Sequence, residues 1–344
     1  MYNMANKLVY VGFGYLHHLG GHAGYHQIKD YLGYDYYVDA QRFHNIAQEP
    51  VEITFMARVR AKLFPFFCFG FKAFPWYIVK CIILALLKGH LTFHFIYGEN
   101  LLLFVPLLQI RGCKVVCTLH QPFEWFEKHD QWKKYLKQVD AIILVSNSEI
   151  SAFEELTGKK NVKFIPHGIC SDFYSPNKDI SKEHMVLTVG NWLRDYKFAD
   201  KVYQALLSTD EALNICIVTQ PSNRAFIKSN ERIHFLSSIS DKDLRDLYRK
   251  SSVLFLPLIR YTANNSLLEA GACGCNIVIS SNFPDNSYIP GQFITTCQMD
   301  ESATIHSINQ CIAKSYNTGL SCYVSEHYSW TVISEYTKQF LLTI

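Results

Sequence analysis

No two cysteines in this sequence are spaced as CxxC, and no apolar stretch is long enough to span a membrane. A zinc ribbon needs two such pairs, whereas the closest approaches among the 11 cysteines are Cys273 to Cys275 and Cys113 to Cys117. Cys81, Cys117 and Cys216 stand in apolar runs, where a free thiol behaves as a small hydrophobe, and this usage suits a reducing compartment. The longest apolar run, residues 81–87, extends upstream to Phe74 only across Lys80. That is well short of the about 18 residues a helical span requires. Residues 1–8 hold no apolar core of a secretory signal, so the expected location is the cytoplasm. A basic excess is missing too: the net charge is +3, which excludes a dedicated nucleic-acid binder. The strict GxGxxG spacing is absent, so NAD binding has no support.

What the sequence does contain is apolar bulk, 49% hydrophobic against 18% charged over 344 residues. That suffices for two packed domains and is too apolar for disorder. Residues 8–13 (LVYVGF) form a β-branched and aromatic run ending in glycine, and predict a buried first strand. A loop with Gly20, Gly21 and Gly24 follows, then a helical stretch over 25–32, the opening of a Rossmann-like βα unit. Further strands are predicted at 93–97, 114–119, 141–145 and 162–165. Helices are predicted at 100–110 and, capped by Ser148, through 156. Residues 177–184 are polar and predict a linker. The pattern then restarts, with strands at 185–189, 214–218, 233–236, 253–256 and 276–280. Helices fall at 198–207, at 241–250 with Ser240 and Asp243 as a capping box, and at 266–273. Strands alternating with helices twice over imply two parallel doubly wound sheets. Ligands bind such sheets beyond the carboxyl ends of the strands.

Four segments in order carry a family resemblance. Residues 256–274 read LPLIRYTANNSLLEAGACG. They resemble the donor-site segment of retaining GT-B glycosyltransferases, the family-4 (group 1) type. Ile165-Pro-His-Gly-Ile169 with Phe173 and Pro176 resembles that family's domain junction. Val189-Gly190 with Arg194 and Lys197 resembles its phosphate-binding turn, and Tyr328-Ser-Trp330 the motif before its last helix. The resemblance implies an α/β GT-B fold, two Rossmann-like doubly wound domains facing each other across a cleft. The expected division is 1–174 for the acceptor side and 175–329 for the donor side, with a C-terminal helix, 330–344, packing back on the first domain.

The implied activity is transfer of a hexose-type sugar from a UDP- or GDP-linked donor to a glycan or lipid-linked acceptor. Retention of configuration, no metal and a place in polysaccharide biosynthesis go with it. A diphosphate gains charge as the glycosidic bond breaks, so a metal-independent enzyme needs cations and helix N-termini there. Arg194 and Lys197 are expected to supply them, beside Gly190. Glu269 is expected to accept hydrogen bonds from the donor ribose. Asn264 and Asn265, with Ser266 and Leu267, are expected to meet phosphate or sugar oxygens. The family's first acidic residue is replaced by Tyr261, which with Thr262 leaves the sugar contacts altered. His120, ending the 114–119 strand, resembles the histidine that faces the donor sugar. Gly20 and Gly21 let backbone approach the diphosphate. His167, where the family has asparagine, is expected to be a junction residue.

Two further signals bear on metal and membrane. His17, His18, His22 and His26 cluster, but glycines interrupt any helix face and no carboxylate or cysteine joins them, so no metal is expected. Residues 58–88 mix six cations with aromatics and aliphatics, which suits peripheral contact with an anionic membrane on its inner face or a pair of core helices. Other chemistries of the same fold remain open: an inverting transferase with Glu99 or Glu124 as base, a nucleotide-sugar epimerase, or a binding module without turnover.

Overall fold

The structure is a computed structural model and describes residues 6–15, 21–40, 76–101, 104–158, 161–260, 262–282 and 288–344. The chain divides into two compact units. One comprises Met1–Leu19, Gly24–Ile165 and Ser334–Ile344; the other comprises Gly20–Ala23 and Pro166–Ile333. The break at Ile165/Pro166 precedes the expected 174/175, so the whole Pro-His-Gly junction belongs to the second unit.

The first unit carries a parallel sheet of six strands in the order β2-β1-β3-β4-β5-β6. These are β1 (Lys7–Gly12), β2 (Tyr36–Asp39), β3 (Leu91–Phe95), β4 (Lys114–Leu119), β5 (Ala141–Leu144) and β6 (Val162–Phe164). Strands β3 and β5 are buried at every position. Continuous apolar runs of this kind are what a sheet covered on both faces demands. The one imidazole inside β3, His94, is satisfied on both sides, by the Tyr34 hydroxyl at 2.7 Å and the Thr118 hydroxyl at 2.7 Å. Burial holds its pKa down to about 3, so it is a neutral structural group.

The second unit carries β12-β11-β10-β7-β8-β9, again all parallel. Its strands are β7 (Glu183–Val189), β8 (Asn214–Val218), β9 (Ile233–Leu236), β10 (Ser251–Pro257), β11 (Asn276–Ser280) and β12 (Thr295–Cys297). Counted within the unit, the order is 6-5-4-1-2-3, that of a doubly wound nucleotide-binding sheet. Val186, Ile215, Ile217, Val253, Phe255 and Val278 of the strands pack with Val202, Tyr203, Leu206 and Ile308 of the helices into one core.

Several sequence expectations are revised. The stretch 100–110 is not one helix; turns at Gly98–Leu101 and Val105–Leu108 are separated by Phe104, whose φ of 54° breaks the helical path. Ser148 does not cap the next helix but sits inside a 3-10 turn, Asn147–Glu149, that precedes Ile150–Thr157. The stretch expected as a linker is shortened by β7, which begins at Glu183. The Ser240 cap holds: its hydroxyl accepts from the Asp243 amide at 3.1 Å, opening the helix Asp241–Lys250. Of residues 58–88, only the helix Trp76–Lys88 lies within the described residues. Among the described residues no helix is long and apolar enough to cross a membrane.

Candidate donor site

In the second sheet the strand order reverses between β7 and β10, so the loops leaving these two strands open beside each other. After β7 the chain turns at Gly190, with φ +121°, and Leu193, with φ +55°. The loop is then stitched to β10: the Asp195 amide donates to Pro257 O at 2.9 Å and the Ile259 amide to Leu193 O at 3.1 Å. Asn191 ties it to the end of β8, its Oδ1 accepting from the Gln220 amide at 2.7 Å and the Thr219 hydroxyl at 3.1 Å.

Within this frame the guanidinium of Arg194 is fixed three ways. Nε donates to Val189 O at 3.2 Å, Nη1 to Trp192 O at 2.9 Å and Nη2 to Asn264 Oδ1 at 3.3 Å. A β-carbon on Gly190 would lie 2.7 Å from Nη2 and 2.9 Å from Cζ. Glycine is therefore required twice, for the left-handed backbone and for the seat of the cation. Burial pulls the Arg194 pKa down from its usual value, yet an arginine so placed keeps its charge at neutral pH.

Asn264 opens the helix Asn265–Ala272 as its N-cap, its Oδ1 also accepting from the Leu267 amide at 3.3 Å. Its Nδ2 is buried and has no partner. Buried amide donors are almost always satisfied, so a lone one at a helix entrance points to an acceptor from outside the chain. Ser266 and Leu267 are buried in the first turn, Asn265 is half-buried, and Thr262 is buried on the approach. Tyr261 and Gly20 lie outside the described residues.

Glu269 is 4% exposed. Its Oε2 accepts from the Tyr248 hydroxyl at 2.9 Å, and that phenol also bonds the Ser266 side chain. Burial lifts the Glu269 carboxyl from 4.5 to about 7, against the lowering effect of the Tyr248 bond. Arg194 with Asn264, and Tyr248 with Glu269, thus form two bonded pairs at the one helix Asn265–Ala272 and its cap. Lys197 stands apart from them, exposed in the first turn of the helix Tyr196–Thr209, with Nζ 5.8 Å from the Phe226 ring centre.

Gly21, with φ +92°, leads to His22, whose amide donates to Asp241 Oδ2 at 3.2 Å and whose ring stacks on Phe173 at 3.7 Å. His167 is buried, its amide donating to the Tyr288 hydroxyl at 3.0 Å, its ring 5.2 Å from Trp330. In the first unit, His120 follows β4, its Nδ1 lying 3.2 Å from Glu99 Oε1. Among the described residues no three His, Cys, Asp or Glu side chains converge as metal ligands. The sequence does not single out Tyr248: a tyrosine four residues after Leu244 on a helix reads as core, and only the fold shows where its hydroxyl goes.

Residues 183–313 match the family Glycosyl transferases group 1. No curated protein matches the sequence. Among solved structures, the sucrose-phosphate synthase from Thermosynechococcus elongatus is similar at TM-score 0.69 and 16% identity, over 97% of this chain and 98% of that one. Anabaena HepE, solved in complex with UDP and glucose, is similar at TM-score 0.70 and 13% identity, over 98% and 100%. A glycosyltransferase from Rickettsia africae gives TM-score 0.66 at 14% identity, over 99% and 98%. At these identities the likeness establishes the architecture.

Proposed function

We propose that this chain, which has the GT-B fold and carries a group 1 glycosyltransferase domain at residues 183–313, moves a hexose-type sugar from a nucleoside-diphosphate donor to a glycan or lipid-linked acceptor. In this reading transfer occurs with retention and without metal. The observation that carries it is the Arg194 guanidinium, seated on Gly190 and bonded to the N-cap Asn264, whose buried Nδ2 waits for an acceptor.

A diphosphate placed over the loops after β7 and β10 would meet Arg194, the Asn264 amide and the entrance of the helix Asn265–Ala272. Lys197, exposed beside the Phe226 ring, has the reach of a flexible ammonium and would close on it as a second charge. These groups oppose the charge that grows on the leaving phosphate as the bond to the sugar breaks. The Glu269 carboxylate accepts from the ribose hydroxyls. With retention, the leaving phosphate oxygen takes the acceptor's proton, so no protein base is needed.

One feature favours a membrane-proximal acceptor. Along the helix Trp76–Lys88, Trp76, Lys80, Ile83 and Leu87 are exposed on one face, Trp76 at 62% and Leu87 at 70%. Lys88 and Arg111 add exposed positive charge, and the helix holds no acid. Such a face suits an anionic lipid surface.

The reading is tested by calorimetric titration of UDP and GDP into wild type and Arg194→Ala. A charge-assisted contact is worth roughly 1.5–3 kcal/mol, hence at least a tenfold loss of affinity in the variant. Equal affinities for both proteins, or none for either nucleotide, would contradict it.

A further inference from the structure

Most of the described cysteines are buried, but Cys170 and Cys297 are half-buried and Cys322 is exposed. Buried thiols are inert, so only these three are open to a reagent from solvent. Cys170 is set apart by its neighbour: its Sγ lies 3.7 Å from His22 Nδ1, within hydrogen-bond reach for sulfur. Cys297 instead meets Ile279 O at 3.7 Å and the Thr304 hydroxyl at 3.6 Å, neither of which is a base. Cys322 stands on the helix Thr318–Tyr328 and is the most open of the three. Cys170 and His22 both belong to the second unit, although 148 residues separate them in sequence.

The imidazole is held against the thiol from two directions. Its ring lies flat on Phe173, with centres 3.7 Å apart and planes 2° from parallel. The Arg245 guanidinium also covers Phe173, its Cζ 4.5 Å from the ring centre. The His22 backbone is fixed by the bond from its amide to Asp241 Oδ2. A nucleophile, a base within reach and groups that orient the base are together what activates a side chain for covalent chemistry. With its proton on Nε2, the ring takes the thiol hydrogen at Nδ1; once it has done so, Nδ1–H donates back to the sulfur. An ordinary thiol is only a few per cent ionised at neutral pH, and the thiolate is the attacking form. A neighbouring imidazole therefore raises reactivity without any gain in exposure.

We infer that Cys170, paired with His22, is a site of covalent modification that exchanges with low-molecular-weight disulfides. In the exchange the thiol proton passes to His22 Nδ1, and the Cys170 sulfur attacks one sulfur of the incoming RSSR. A Cys170–S–S–R bond forms, the S–S bond of the reagent breaks, and its other half leaves as RS−. That thiolate takes the proton back from His22. Cys170 is thereby oxidised and one RS group reduced, with no further reactant needed. This reactivity stands independently of the transferase reading.

The test exposes the full chain to glutathione disulfide at neutral pH for timed intervals and follows each cysteine by peptide mass mapping. Iodoacetamide is run in parallel as a probe of the thiolate alone. Cys170 should gain glutathione before Cys322, although Cys322 is the more exposed, and dithiothreitol should remove it. Iodoacetamide should rank the two cysteines in the same order. His22→Ala should slow Cys170 at least about fivefold with both reagents, the scale on which a neighbouring imidazole supplies thiolate, and leave the Cys322 rate unchanged. A ring that merely shields the thiol predicts the opposite, faster labelling once the ring is gone. That acceleration, or an unchanged Cys170 rate, would overturn the inference, as would Cys322 reacting first in the wild type. Should His22→Ala lose thermal stability, His22→Phe keeps a ring against Phe173 without a base and is read the same way.

Discussion

Replacing Glu269 with glutamine should stabilise the second unit at pH 8 and leave it unaltered at pH 4. The carboxyl is raised from 4.5 to about 7 by burial in the helix Asn265–Ala272. Between these values the folded chain holds a proton that the unfolded chain has released. Stability therefore falls as pH rises through this window, at about 1.4 kcal/mol per unit. Over the window from 4.5 to about 7 the loss reaches about 3 kcal/mol, complete above the folded value. Glutamine keeps the shape and still accepts from Tyr248, but carries no proton to lose. Urea unfolding of both proteins from pH 4 to pH 9 checks this: the wild-type midpoint should fall through the window while the variant's stays flat. Curves that run parallel over the whole range would refute the reasoning, because they would mean that burial does not oppose the charge. On the proposed donor-site reading, the same variant should bind UDP at least about tenfold more weakly, as expected when a charge-assisted bond is lost. A gain in stability joined to a loss in affinity is the signature of a group retained for binding.

Three other outcomes are expected. Gly190→Ala forces a β-carbon into the Arg194 guanidinium and strains a backbone at φ +121°; it should cost about 1–3 kcal/mol in unfolding free energy and match Arg194→Ala in calorimetric UDP affinity. Tyr248→Phe removes the bond that lowers the Glu269 pKa, so the pH midpoint of UDP binding should move upward while affinity well above it is largely kept; a uniform loss at every pH would speak against this role. The chain should sediment with anionic liposomes at low salt and be released by salt, and Trp76→Ala with Leu87→Ala should weaken this at least about threefold, the loss expected when apolar area leaves the interface; a chain that stays in the supernatant at low salt contradicts the membrane face.

Much of the frame is visible in composition and periodicity. Strands β4, β8 and β11 begin and end where the apolar runs do, because both faces of a parallel sheet's interior are buried. Edge elements carry no such signal. The strand β2 is YYVD with one buried position, β12 is TTC with none fully buried, and the helices Glu301–Ile312 and Thr318–Tyr328 are polar over much of their length. The break at Phe104 follows from its left-handed backbone, which a run of leucines conceals. At the site, Arg194 and Glu269 stand out through the motifs around them. The contact between Gly190 and Arg194, the Tyr248 hydroxyl and the unmet Asn264 amide depend on how two loops meet in space, and no spacing along the chain encodes that.

The first unit is discontinuous in sequence, taking its last piece from Ser334–Ile344. Tyr25, near the start of the chain, is fully buried with its hydroxyl near Thr118 and Thr337, the latter fully enclosed. During synthesis, the early half must therefore wait for residues 334–344 to leave the ribosome before that unit can close. The later half, contiguous from Pro166 to Ile333 but for four residues, is under no such delay. Order of synthesis and order of folding are thus partly reversed, and an amino-terminal fragment expressed alone would be left with an unsealed surface.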